Sequence, residues 1–92
     1  MLEKLKMIEG INHNDFDDVI NLWISAAKLD LKSIGIVSTL VDNPDNLIET
    51  AIMTYVLSFL DVDNADMYSK SYSLQKDVLR HLTEYIEEQN GI

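Results

Sequence analysis

The segment 51–60 constrains the fold most strongly, because it is apolar on nearly every side when it is drawn as a helix. Eight of its ten residues are hydrophobic, and the other two, Thr54 and Ser58, are small. A helix of this kind is buried in a core or against a partner. Because only 92 residues are present to surround it, we expect another subunit to cover part of its surface.

Hydrophobic periodicity predicts an all-α fold, a small bundle of three main helices plus a short N-terminal helix, in one domain over residues 1–92. With three glycines and one proline the chain has few helix breakers. The predicted helices span residues 2–9, 15–34, 44–60 and 65–89. Gly10 and Gly35 are expected to end the first two. The one β-rich run, residues 36–41, is too short to build a sheet.

The second predicted helix carries an amphipathic stripe at three- and four-residue spacing. The stripe consists of Phe16, Ile20, Trp23, Ala27, Leu31 and Ile34. Asn14 or Asp15 is expected to cap the helix N-terminus, and Asp17 and Asp18 complement the positive end of its dipole.

The loop 36–43 is expected to pack against the bundle, because Val37, Leu40 and Val41 are apolar. Pro44 is predicted as the first residue of the third helix, with Asn43 as its cap.

The fourth helix is predicted to bury two adjacent rows of side chains. One row consists of Tyr72, Gln75, Leu79, Leu82 and Ile86, and the other of Leu74, Val78 and Tyr85.

The composition argues against several classes of partner. The net charge is −9, with the seven basic residues scattered along the chain, whereas nucleic-acid binding requires Lys and Arg to neutralise phosphates. The absence of cysteine removes disulfides and thiolate chemistry. No apolar run reaches the roughly 18 residues of a membrane span, and the N-terminus lacks the apolar region of a secretory signal.

The acidic turn after residue 60 contains the start of a calcium-binding pattern in Asp61, Asp63 and Asp66. An EF-hand loop requires an oxygen ligand at position five, glycine at six and glutamate at twelve. These positions hold Ala65, Asp66 and Tyr72. We therefore interpret the segment as a solvated turn that caps the fourth helix.

The chain also lacks residue sets suited to catalysis or to a cofactor. His13 and His81 have no partner at metal-ligand spacing, and none of the serines lies in a Gly-x-Ser-x-Gly elbow. Asp15, Asp17 and Asp18 begin a helix, where the dipole favours charged carboxylates. No enzyme, metal or cofactor is predicted, and the acidic cluster is left as a possible contact to a basic partner.

Several short patterns occur in an order that resembles one protein family. The first part carries Asp17, Asp18, Ala26, Ala27 and Gly35. The second part carries Ala51, Ile52, Tyr55, Val56, Tyr68, Tyr72, Lys76, Leu79 and Tyr85. In this order, over nearly the whole chain, the sequence resembles the small head–tail connector (DNA-packaging, head-completion adaptor) proteins of tailed phages and prophages.

The resemblance implies a structural virion protein with no enzymatic activity. Such proteins form a ring, commonly of about a dozen subunits, beneath the portal after genome packaging. The ring extends the DNA channel toward the tail. The implied partners are further copies of the chain, the portal protein and a stopper or tail-completion protein, while DNA passes through without sequence-specific binding. The implied location is the head–tail junction of the virion, and the host cytoplasm during assembly.

Trp23 and the four tyrosines are expected in the core if the chain is a monomer, whereas in an assembly the aromatic and apolar residues near helix ends are the candidates for contacts with the portal or with other copies. They are Leu2, Leu5, Tyr68, Tyr72, Tyr85 and Ile86. Some members of the family carry a further C-terminal tail for docking. For this chain we expect docking through residues 85–88, or through the opening helix swinging on its loop.

A different class of function also fits the composition. The chain would then be an acidic helical protein-interaction module, antitoxin-like or regulatory, that binds a basic partner.

Overall fold

The computed structural model describes residues 1–87 and has the predicted all-α class. Within these residues the α-helices are Leu2–Ile8 (α1), Asp17–Ser33 (α2), Ser38–Asp42 (α3), Asn46–Leu60 (α4) and Ala65–His81 (α5). Single 3-10 turns, Val62–Asn64 and Thr83–Tyr85, follow α4 and α5. The described part of the chain has no β-strand, only an isolated antiparallel bridge between Ile36 and Ile86.

Helix α4 lies between α2 and α5 and packs against both. Its residues Ile48, Ile52 and Val56 are completely buried. They belong to two groups of core residues, one shared with α3, α5 and the end of α2, the other with α1 and the start of α2. The chain itself therefore covers most of α4, and Leu47 and Phe59 are the large apolar side chains that α4 leaves exposed in the described structure.

Gly10 and Gly35 end α1 and α2 as predicted. Both have positive φ, +68° and +94°, which glycine adopts without steric cost. The N–H of Ile11 donates to the carbonyl oxygen of Lys6 at 2.8 Å, and that of Ile36 to the carbonyl oxygen of Leu31 at 3.2 Å. The N–H groups of the glycines donate to the carbonyl oxygens of Met7 and Lys32, at 3.3 and 3.1 Å, and each pair of bonds forms a Schellman motif that satisfies the last carbonyl groups of its helix.

The start of α2 differs from the prediction. The helix begins at Asp17, and Phe16 occupies the cap position without a side-chain hydrogen bond. The side chain of Asn14 instead accepts a 2.9 Å hydrogen bond from Nζ of Lys6, which also lies 2.9 Å from Oδ1 of Asp17. Because the buried lysine engages Asn14, the predicted cap by Asn14 or Asp15 is wrong.

The predicted loop 36–43 contains the short helix α3, and it packs on the bundle as expected, because Val41 is completely buried. The predicted start of the next helix is wrong. Asp45 is the cap of α4, and its Oδ1 accepts a 3.0 Å hydrogen bond from the N–H of Ile48. Pro44 and Asn43 therefore precede the helix.

Helix α5 ends at His81 instead of residue 89, because Leu82 adopts an extended conformation. The chain then turns back over the bundle. The N–H of Val37 donates to the carbonyl oxygen of Tyr85 at 2.8 Å, and that of Glu87 to the carbonyl oxygen of Gly35 at 2.9 Å. The predicted last residues of the helix, 88 and 89, lie outside the described residues.

Only one of the two rows predicted for the fourth helix is buried. Tyr72 and Leu79 lie in the core, whereas Leu74 and Val78 are 67% and 56% exposed, so their predicted burial is wrong. A continued helix would have placed Tyr85, seven residues after Val78, on the same exposed face. The break at Leu82 lets Tyr85 turn into the core instead.

Replacing Leu79 by aspartate should prevent folding or lower the free energy of unfolding by about 4 kcal/mol, because it buries an unpaired charge. Leu74→Asp is the matched control, since the same change on the exposed side of α5 should cost less than about 1 kcal/mol. Thermal unfolding followed by circular dichroism measures both. Equal melting temperatures for the two variants would contradict the orientation of α5.

Candidate assembly interface

The structure turns most of the predicted interface residues toward the core of their own chain. Leu5, Tyr72 and Tyr85 are buried, and Leu2, Tyr68 and Ile86 are half-buried. Tyr68 packs at the edge of the core formed by α1, α2 and α4. These six residues offer a partner little surface in this conformation, and their role in assembly stays a prediction.

Tyr72 joins α5 to α2 through a polar cluster. Its hydroxyl donates to Oδ2 of Asp30 at 2.6 Å, and Nζ of Lys76 lies 3.2 Å from the same oxygen. Burial, followed by the hydrogen bond to Asp30, raises the pKa of Tyr72 above its ordinary value. The aromatic and charged groups thus fix the two helices relative to each other.

Asp45 joins the start of α4 to the C-terminal turn. Its Oδ2 accepts a hydrogen bond from the hydroxyl of Tyr85, while its Oδ1 caps the helix. The pKa of Asp45 is lowered, first by the backbone N–H of Ile48 and then by Tyr85. Tyr85, which the sequence suggested as an interface residue, therefore helps to close the fold together with Asp45, which the sequence did not suggest.

The residues that carry the family resemblance are mostly structural. Ala27, Ala51, Ile52, Val56 and Leu79 are buried, and Tyr55 and Ala26 are half-buried. Asp17 pairs with Lys6, and Gly35 ends α2. Asp18 is the exposed residue of the set. Most of the residues that carry the resemblance therefore stabilise the bundle, and few of them offer surface for binding.

Helix α1, considered as a swinging docking element, is held to the bundle. Leu5 is completely buried and Lys6 is 6% exposed. Nζ of Lys4 also lies 2.6 Å from Oε1 of Glu49 on α4. Moving α1 would expose Leu5 and break the Lys6–Asp17 pair, so the structure disfavours the swinging mode. Docking through residues 85–88 involves Tyr85 in the core, and Glu88 lies outside the described residues.

Two exposed apolar faces are the strongest candidates for binding. The first, the α2 face, consists of Leu22 and Leu29, which are 66% and 67% exposed. They lie seven residues apart, on the side of α2 opposite to Ile20, Ala27 and Leu31. A two-turn spacing places both leucines on one outward line.

The second face is the α4–α5 groove, an open groove of about 190 Å³. It is lined by Leu47, Thr50, Leu74, Gln75, Val78 and Leu79. Leu47, Leu74 and Val78 expose half or more of their surface. On the groove side, Gln75 Nε2 donates to the hydroxyl of Thr54, and its Oε1 is buried without a hydrogen bond from the described residues.

The two faces differ in charge. Asp18 lies one turn before Leu22 and is exposed, and no ion pair within residues 1–87 involves it. Lys70 lies one turn before Leu74 and pairs with Asp66 at 3.0 Å on the surface of α5. Exposed pairs of this kind contribute little to stability, so Lys70 can exchange its partner at small cost.

The acidic segment forms a solvated turn as predicted, but its predicted capping of the fourth helix is wrong. Asp61 accepts hydrogen bonds from the backbone and side chain of Asn64 and caps the 3-10 turn. It does not cap α5, whose cap position holds Asn64 without a side-chain hydrogen bond. His13 and His81 are both exposed. Across the described residues no group of three or more His, Asp or Glu side chains is placed to hold a metal ion.

Sequence reasoning missed Leu22, Leu29 and Leu47 as surface residues. The signal was present for α2, because Leu22 and Leu29 fall outside the six-residue stripe assigned to its core. For α4 the apolar residues surround the helix, so periodicity alone could not separate Leu47 from its buried neighbours.

Comparison with protein-family models, curated proteins and solved structures gives no match to this chain. None of the helices within residues 1–87 has the length and apolar character that crossing a membrane requires.

Replacing Tyr72 by phenylalanine should lower the free energy of unfolding by about 1–2 kcal/mol at pH 7, because Asp30 loses its hydroxyl partner. The folded-state pKa of Tyr72 is raised, so its contribution is complete below the unfolded pKa of about 10 and is lost above it. The difference between wild type and variant should therefore shrink above that pH. Urea unfolding from pH 7 to pH 11 measures it, and a difference that grows with pH would contradict the assignment.

Proposed function

We propose that this protein is a structural virion-assembly protein, a head–tail connector that forms a ring on the portal and extends the DNA channel. The observation that carries the proposal is the pair of unlike apolar faces, the α2 face and the α4–α5 groove. The groove brings the exposed side chains of Leu47, Leu74 and Val78 together, and a contiguous exposed apolar patch on a small domain marks an interaction site. Two unlike faces on one chain favour head-to-tail contacts, which close into rings when the rotation allows.

The sequence resemblance supports the same function. The residues that carry it build the α4-centred bundle, with Ala51, Ile52 and Val56 in its middle. A shared core pattern is expected among proteins that share a fold, and function is argued from surfaces. In this chain the surfaces offered for contact are apolar helix faces, and they suit a protein whose task is assembly.

The net charge of −9 is compatible with a channel that DNA passes through. An acidic wall repels phosphates, so it would not retain the DNA. A channel surface that mapped as strongly basic would oppose this part of the proposal.

Co-sedimentation of the purified protein with the portal ring of the same phage or prophage tests the function. We expect saturable binding near one copy per portal subunit. Leu74→Asp, which should fold, is expected to reduce the bound amount at least about tenfold, because it places a charge in an apolar contact. Glu3→Gln, on the exposed side of α1, serves as the control and should bind normally.

Absence of binding at high micromolar concentration would overturn the connector proposal. The alternative to pursue would then be the acidic interaction module with a basic partner.

A further inference from the structure

We propose that the two apolar faces are the halves of one contact, in which the α2 face of one copy lies in the α4–α5 groove of the next. The occupant of the groove is thus a second copy of this chain. The inference deepens the proposed ring function and rests on it for its biological setting, but it is tested separately.

The shapes of the two faces match as a ridge and a groove. Leu22 and Leu29 lie about 10 Å apart along α2, and the residues on the same side between and beyond them, Ser25, Ala26 and Ser33, are small. The groove has Leu47 on one wall and Leu74 and Val78 on the other. Small residues beside projecting leucines allow the two helix backbones to approach closely, as ridges-into-grooves packing requires.

The charges favour a contact between unlike faces. Helix α5 has three basic and two acidic residues, a net charge of +1, whereas the rest of the chain has four basic and fourteen acidic residues, a net charge of −10. Helix α1 has the same net charge of +1, but the exposed apolar residues Leu74 and Val78 of α5 line a groove. The basic residues of α5 can therefore attract individual acidic groups of a neighbouring copy.

The same charges set the direction of the contact. Asp18 precedes Leu22 by four residues, and Lys70 precedes Leu74 by four. When α2 of one copy lies parallel to α5 of the next with Leu22 beside Leu74, Asp18 lies beside Lys70. A contact between two α2 faces, or between two grooves, would not form this Asp18–Lys70 pair, so the charges favour the contact between unlike faces. The arrangement is therefore head-to-tail, and each copy retains one open face for the next.

Cysteine cross-linking tests the contact cleanly, because the chain has no cysteine of its own. Leu22→Cys and Leu74→Cys are purified separately, checked for helical content, and mixed under mild oxidation with and without the portal ring. We expect a disulfide between the two variants in the mixture and almost none when each is oxidised alone. Glu3→Cys mixed with Leu74→Cys gives the background from random collisions.

A charge exchange provides the second measurement. Either Asp18→Lys or Lys70→Asp is introduced alone into both the Leu22→Cys chain and the Leu74→Cys chain. Because like charges then face each other across the contact, the cross-linking rate should fall roughly tenfold at low salt. With Asp18→Lys in the Leu22→Cys chain and Lys70→Asp in the Leu74→Cys chain, the rate should return. If the exchange did not restore the cross-linking rate, the proposed Asp18–Lys70 pairing would be refuted.

The outcomes separate this contact from the connector function. A dominant disulfide within either single-cysteine protein, or no disulfide above background with and without the portal, would overturn the contact. Portal binding without the cross-variant disulfide would refute the contact and leave the function standing. The disulfide without portal binding would establish the contact and refute the connector role.

Discussion

The structure depends on the burial of α4 on nearly every side. An apolar helix cannot remain in water, so the rest of this short chain is arranged around it. Helices α2 and α5 pack against it, and Leu5 of α1 packs in the core group that contains Ile20 and Val56. Because each covering helix packs one face against α4, its opposite face is exposed to solvent. The exposed leucines of α2 and α5 are a direct consequence of this arrangement.

Three polar contacts hold the covering elements in place. Lys6 joins α1 to the start of α2, Asp30 joins α2 to Tyr72 on α5, and Asp45 joins α4 to Tyr85 in the C-terminal turn. Each pairs a carboxylate with a donor on another element, and each lies at the margin of the core. They fix the helices relative to one another, and therefore also fix the spacing of the outer faces. A subunit that assembles through two faces benefits from this rigidity, since little ordering remains to be done on binding.

The sequence predicted the helical class, the glycine ends of α1 and α2, and the buried stripe formed by Ile20, Ala27 and Leu31, because these follow from local chemistry and periodicity. It could not predict that α5 ends at His81, since a helical pattern continues past that residue. The break depends on tertiary contacts of Tyr85 with Asp45 and with the backbone of Val37. The two exposed apolar faces were not predicted either. The predicted interface relied on aromatic residues, and two of the four tyrosines, Tyr72 and Tyr85, are buried in the core.

Electron cryo-microscopy of the proposed complex with a portal ring would test the central claim most directly, that an α4-centred bundle assembles through its two outer faces. We expect a closed ring in which the α2 face of each copy lies in the α4–α5 groove of the next, with Leu22 beside Leu74 and with α4 inside every subunit. A ring held together through α4 itself, or copies bound to the portal without touching one another, would contradict it.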